Sequence, residues 1–384
     1  TASLITPVLD SHIDAGILAK LSGMQPVYAY MNNFNYFQSA DEMRFLFYDP
    51  ATESNMMCML TVDGGGGKTK AVTRAGEGMI NGTGLAKTLD IALARVNETA
   101  SGYGLQWGTA QLDATIETTK KVTFDKKQYY SPAGLKTKLI GWYPATDATY
   151  NNADGGNATV SWTAIDGKTD LLVSDLREGS KTNPFTAEHT NVLTFDHLLT
   201  QIQIKAYALS QEEADIWGEV DKITITGKKE TCKITLPATS GSSGAKCTPS
   251  FTADSDGVLE LVKENPTNNT SLSDMTVGVS VANASDGKGD GSDKATVAKL
   301  WGYAMFSPVA AQGSLTLTIH FKAGGTKEVV IEGASTGNPL YTNGLRAGYS
   351  HLIYLKFGLS EEDEIVPEVE ITDWIEGDEI EIPV

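Results

Sequence analysis

The stretch TVDGGGGKTKAVTRAGEG, residues 61–78, places four glycines ahead of a lysine and a threonine, the residue types from which phosphate-binding loops are made. Such a loop needs a further glycine five positions before the one that precedes the lysine, so that successive N–H groups curl toward the phosphates. That position is Val62. The loop must also open a helix whose positive end faces the anion, and AVTRAGEGMINGTG, with Gly76, Gly78, Gly82 and Gly84 spread through it, has no helical pattern. What remains is a glycine-rich stretch carrying Lys68, Lys70 and Arg74, a composition in which proteolytic nicking concentrates.

The other groups able to do chemistry are scattered. The five histidines are His12, His189, His197, His320 and His351. None forms HExxH, and His189 and His197 are too far apart to share a helix face at ligand spacing. His197 in FDHLL and His351 in YSHLIYL border strands and are expected to be structural. The serine loop GSSGA misses the nucleophile-elbow pattern because Ala245 stands where the last glycine belongs. DGKGDGSDK, residues 286–294, has the acidic rhythm of a calcium loop, but position twelve of that loop is Val297, not a bidentate glutamate. No catalytic set, metal site or cofactor is expected, and the chain does not read as an enzyme. Cys232 and Cys247 flank KITLPATSGSSGAK, a strand followed by a glycine-serine loop. They form either a disulfide or two unpaired small residues on neighbouring strands; Cys58 is expected to be a buried small hydrophobe.

With 48 acidic and 30 basic side chains, the 384-residue chain carries a net charge of −18, which repels nucleic acid and anionic lipid. No apolar run is long enough to cross a bilayer as a helix. The sequence starts at Thr1 with no initiator methionine or signal peptide, so an upstream segment is expected to have been removed. The 38 glycines separate segments rich in Thr, Val, Ile and Tyr, the mixture that favours short strands joined by turns.

Residues 8–21 have helical apolar spacing, and MRFLFYDP reads as a strand stopped by Pro50. In KTLDIALARV, Leu89, Ile91, Leu93 and Arg95 share one face at a period of two. TVSWTAIDGKTDLLVSDL is expected to be a hairpin around Asp166-Gly167, and SLTLTIHFKAGGTKEVVIEG a second hairpin around Gly324-Gly325. SQEEADIWGEV is a short helix opened by Ser210 with Glu213 three residues on, a capping-box spacing. The polar stretch REGSKTNPFTAEHTN marks a domain boundary. The expectation is an N-terminal segment 1–74, then β-sandwiches over 75–190 and 191–384, all-β apart from a short helix or two.

The tail SEEDEIVPEVEITDWIEGDEIEIPV has no lysine or arginine. Val369 and Ile371, and after the EGDE turn Ile380, Ile382 and Val384, alternate with acidic residues. Each segment is strand-like, with one apolar and one anionic face. A terminal strand with one apolar face must pair with a sheet edge, its own or a neighbour's.

The succession VTFDKKQYYSPAGLKTKLIGWYP, DLLVSDL, LTFDHLLTQIQIKAYA, GLRAGYSHLIYLKF and VEITDWIEGDEIEIPV, with VTRAG ahead of it, resembles the fimbrillin-like family of type V pilus subunits from anaerobic gut and oral bacteria. The resemblance covers roughly residues 70 to 384. It implies two transthyretin-like β-sandwich domains, export as a lipoprotein and display on the outer membrane. It further implies protease-triggered donor-strand exchange, with Arg74 as the processing site and other pilin subunits as partners. Residues 366–384 would be the donor strands, and Val369, Ile371, Ile380, Ile382 and Val384 their contacts. About seventy residues precede VTRAG and match nothing in the family. They could belong to the mature fold, and a tip or accessory adhesin that binds host glycan or protein is the alternative reading.

Overall fold

The computed structural model describes residues 88–119, 121–152, 157–186, 191–254, 257–266, 270–272, 274–280, 289, 291–333 and 343–358, and the backbone of 25–30, 41–49, 54–62 and 366–373. The chain divides into two compact units, Thr1–Val72 and Thr73–Val384. The first contains strands β1 (Gln25–Tyr30), β2 (Asp41–Asp49) and β3 (Ser54–Val62), joined in chain order as an antiparallel sheet. β2 stops one residue before Pro50, as expected, and pairs with β3 from Asp41↔Val62 to Asp49↔Ser54. Pro26 lies on β1, an edge strand, where proline is tolerated. The helix expected over 8–21 lies outside the described residues.

The second unit opens with β4 (Leu89–Thr99), β5 (Gly102–Tyr103), β6 (Leu112–Ile116), β7 (Val122–Phe124) and β8 (Thr137–Tyr143). These are followed by β9 (Ala148–Asn151), β10 (Thr159–Trp162), β11 (Leu172–Ser174), β12 (Arg177–Gly179) and β13 (Phe195–His197). An eight-stranded sheet runs β13-β11-β8-β4-β6-β7, with β12 paired to β8 and β5 to β4. Its β4 is buried on both faces. Leu89, Ile91 and Leu93 pack with Ile116, Leu139 and Phe185, whereas Ala92, Ala94 and Val96 pack toward Trp142, Val160 and Trp162. The outer face is covered because Phe185 and Leu193 from a loop lie on it, and Arg95 holds a second loop there through Gln128 Oε1 and the Tyr129 carbonyl, both at 2.7 Å.

The expected hairpin around Asp166-Gly167 is not one. β10 and β11 belong to different sheets, although Trp162, Ile165, Leu171 and Val173 share one core. The turn itself forms locally: Gly167 has φ 77°, and the Asp166 carboxylate accepts from the N–H groups of Lys168 and Thr169. The chain thus steps across the sandwich instead of doubling back.

Next come β14 (Thr200–Ala208), helix α1 (Gln211–Trp217), β15 (Val220–Thr226), β16 (Glu230–Thr235), β17 (Thr248–Ala253), β18 (Val258–Glu260) and β19 (Gly278–Val279). Helix α2 (Lys294–Val297), β20 (Lys299–Phe306), β21 (Ser314–Phe321), β22 (Thr326–Glu332), β23 (Tyr349–Phe357) and β24 (Val366–Asp373) complete the chain. The β16–β17 hairpin, sequence-distant from the first sandwich, nonetheless joins it, forming a four-stranded sheet β17-β16-β10-β9. Cys232 and Ile234 of β16 thereby enter the same core as Trp142. The change of sandwich at residue 190 is therefore not a single crossing.

The second sandwich packs the sheet β19-β14-β23-β24, with β20 also on β14, against β18-β15-β21-β22. Its core holds Ile202, Ile204, Trp301, Phe306, Leu315, Leu317, Ile319, Ile353 and Phe357. The hairpin at Gly324-Gly325 forms as expected, both glycines at positive φ, with Leu315, Leu317 and Ile319 buried. Ser210 caps α1 by accepting from the Glu213 N–H, while the Glu213 carboxylate reaches back to the Leu209 N–H. One irregularity has a large effect. A register shift between Ile204 and Lys205 leaves Trp301 unpaired in β20, so Trp301 joins Ala304 and Phe306 on the second core while Tyr303 and Met305 enter the first.

Candidate functional site

The C-terminal edge of the second sandwich is built from β14 outward. β14 is a central strand, antiparallel to β20 and parallel to β23 from Gln201↔Ser350 to Ala208↔Phe357. In β14 the sequence QIQIKAYA alternates, with Ile202, Ile204 and Ala206 in the core of the second sandwich and Gln201 and Gln203 on the opposite face. β23 starts after Gly348, whose φ of 78° turns the chain and whose N–H donates to the Leu199 carbonyl. β24 then pairs antiparallel with β23 through eight residue pairs, from Tyr349↔Asp373 to Lys356↔Val366. Eight residues span about 27 Å at the usual strand rise. Among the described residues no strand pairs with the outer side of β24, and Pro367 occupies a place that only an edge strand tolerates. β22, the edge of the facing sheet, lies beside β24.

The register places Val369 opposite Ile353 and Ile371 opposite His351. On β23, Ile353, Leu355 and Phe357 face the sandwich core, and His351 continues that face. His351 is fully buried, neither ring nitrogen has a hydrogen-bond partner among the described residues, and burial pulls its pKa down to about 4. Arg346, in the turn before β23, acts in the same direction. On the opposite face a polar network ties β14 to β23 within the sheet: Ser350 donates to Gln201 Oε1 at 2.6 Å, and Gln203 donates to Ser350 Oγ at 3.1 Å.

Ile380, Ile382, Val384 and Arg74 lie outside the described residues. The disulfide alternative for Cys232 and Cys247 is corrected: both are free thiols. Across β16–β17 the residue opposite Cys232 is Phe251, four positions from Cys247. That offset amounts to about 13 Å along the strand, well beyond the ~7 Å limit for a bridge. Burial raises both thiols to about 12. His197 is structural, its Nδ1 2.6 Å from the buried Asp170 Oδ2, and His320 sits 3.0 Å from the Thr224 hydroxyl.

The serine loop has a structural part that no motif signals. Leu176 and the loop exchange backbone bonds, Gly244 N–H to Leu176 O and Leu176 N–H to Ala245 O. Lys138, almost wholly buried, donates to the carbonyls of Thr239 and Gly241 at 2.8 and 2.7 Å with its ammonium 4.1 Å from the Tyr103 ring centroid. Partners a hundred residues apart leave no local pattern to find. Among the described residues no cluster of three or more His, Cys, Asp or Glu could hold a metal ion. Of two open grooves, one of about 390 Å³ runs along β7 and is lined by Val122, Phe124 and Tyr129, and the other is lined by Asp90, Asp113 and Asp125.

None of the curated proteins compared with the chain matches it. Among solved structures, a suspected cell adhesion protein from Bacteroides uniformis is 14% identical with a TM-score of 0.46, over 75% of this chain and 92% of that one. A fimbrial protein from Bacteroides vulgatus is 13% identical with a TM-score of 0.34, over 74% and 92%. A C-terminally truncated tip fimbrial protein from Porphyromonas gingivalis is 10% identical with a TM-score of 0.32, over 75% and 95%. Similarity at that level carries no argument about this chain. The family model described as fimbrillin-like, by contrast, matches residues 69–374, most of the sequence and both sandwiches, and the chain therefore belongs to the fimbrillin-like family.

Proposed function

We propose that the chain is a structural subunit of a cell-surface fimbria, processed from a lipoprotein displayed on the outer membrane, that polymerises by exchanging terminal strands between copies. The observation that carries this reading is β24, an edge strand attached to β23 by one backbone ladder and ending its sheet among the described residues. A strand held in this way can be replaced by an equivalent strand from another copy, with main-chain bonds supplying affinity and alternate side chains specificity. Val369, Ile371, Ile380, Ile382 and Val384 would be the donor contacts, and cleavage at Arg74 the trigger. Head-to-tail contacts of this kind do not close and so produce a fibre.

The test is digestion of the native chain with an arginine-specific protease, followed by intact mass and size-exclusion chromatography. Cleavage after Arg74 accompanied by a ladder of larger species is expected, and an Arg74→Ala chain stays monomeric. Complete cleavage with no larger species would overturn strand exchange.

One observation favours a second reading. Residues 1–72 form a compact unit of their own and lie almost wholly ahead of the family match, which starts at residue 69. Such a unit could give a tip or accessory subunit its surface for host glycan or protein. A chain that remains monomeric after digestion yet binds a glycan array through residues 1–72 would establish it.

A further inference from the structure

His351 is at odds with its surroundings. A neutral imidazole has one donor and one acceptor, and here both are buried without partners among the described residues. Unmet polar groups in a native core call for an explanation beyond packing. The lateral neighbours of His351 in its sheet are Ile202 on β14 and the position of Ile371 on β24. These two neighbours are held very differently. β14 is locked between β20 and β23, whereas among the described residues β24 has a ladder on one side only. Departure of β24 is thus the smallest opening that brings water to the imidazole while leaving the rest of the sheet paired.

We propose that His351 makes the docking of β24 acid-labile, retaining the strand while the imidazole is neutral and releasing it when a proton enters. The surroundings offer that proton little else. β14 presents Thr200, Ile202 and Ile204 to this face, and the facing sheet presents Leu315, Leu317, Ile319, Val329 and Ile331, none of them titratable. β20 contributes Phe306, and the turn before β23 contributes Arg346, a cation that opposes protonation. The register brings position 373, an aspartate, to the same face of β24, two residues beyond Ile371. This inference holds whether or not the strand is exchanged between copies.

The sign and size follow from linkage. The docked state holds the histidine at about 4 against an ordinary 6.5. Docking is therefore fully favoured above the ordinary value and weakens as pH falls from there toward the docked one. With an ordinary histidine in the open form, the open population rises about 20-fold between pH ~7 and pH ~5.

Hydrogen exchange on the full chain at those two pH values, corrected for intrinsic exchange rates, reads this directly. Protection of the amides in 366–373 is expected to fall about 20-fold, with β14 and β20 unchanged. His351→Leu should keep β24 protected at both pH values. His351→Gln, polar but unable to titrate, should weaken docking equally at both, and it alone carries the test if the leucine variant does not fold. The proposal is overturned if protection in 366–373 does not change with pH, if either variant shows the wild-type loss, or if β14 loses protection to the same extent.

Discussion

Replacing Lys138 by methionine isolates what the loop over residues 237–246 contributes to the first sandwich. The substitution keeps the length and most of the volume of the side chain, so little cavity is created. It removes two charge-assisted bonds, to the carbonyls of Thr239 and Gly241 at 2.8 and 2.7 Å, in a place where the side chain is only 5% exposed. It also removes the ammonium over Tyr103 and a 3.9 Å approach to Glu178. Hydrogen bonds to a charged group are worth about 1.5–3 kcal/mol each. Part of that sum is returned, because burial disfavours the ammonium and holds its pKa below the ordinary lysine value. A net loss of about 2–4 kcal/mol is expected, read as a lower urea midpoint at unchanged slope. Hydrogen exchange localises the effect: the Leu176 and Gly244 amides, which bond Ala245 and Leu176 across the loop, should lose protection first. Lys136→Met is the matched control, since that lysine meets Glu178 at 2.7 Å but is 53% exposed, and it should cost less than about 1 kcal/mol. Equal stability of the Lys138→Met and wild-type chains, with both amides still protected, would refute the idea that the lysine clasps the loop.

Two other predictions concern single positions. Gly302→Ala should fail to give soluble native protein, because a Cβ there would lie 2.2 Å from the Val262 carbonyl oxygen at φ 146°; a melting curve close to wild type would contradict it. The thiols of Cys232 and Cys247, raised to about 12 by burial, should resist alkylation up to about pH 9 in the native chain and react at once in denaturant. A non-reduced mass lighter by two hydrogens would show a bridge instead.

What could be read from the sequence was what depends on neighbours. The Gly324-Gly325 hairpin and the Ser210 cap need only a few adjacent residues, and both formed as expected. Asp166-Gly167 made its turn equally locally, yet its strands parted, because periodicity tells which face is apolar and not which sheet will cover it. β4 shows the same limit: its even positions are alanines and a valine, too small to announce a second buried face, and distant loops supplied the cover. The hairpin of residues 230–253 chose a partner about seventy residues upstream, a choice made by shape and absent from its own pattern. In the candidate site, the alternation around Val369 and Ile371 required an edge without naming one, and the register shows it to be β23. FDHLL and YSHLIYL look alike as text. Only the fold gives His197 a carboxylate partner and leaves His351 with none among the described residues.

The bulge at Trp301 has a mechanical consequence. Regular alternation sends Phe306 into one core and Tyr303 and Met305 into the other, and the bulge adds Trp301 to the side of Phe306. Two sandwiches strung on a linker would yield to a pull one after the other, with the linker bending first. Here β20 is a member common to both, so tension on either sandwich is carried into its neighbour through packed side chains. Residues 73–384 should accordingly rupture in one event under load.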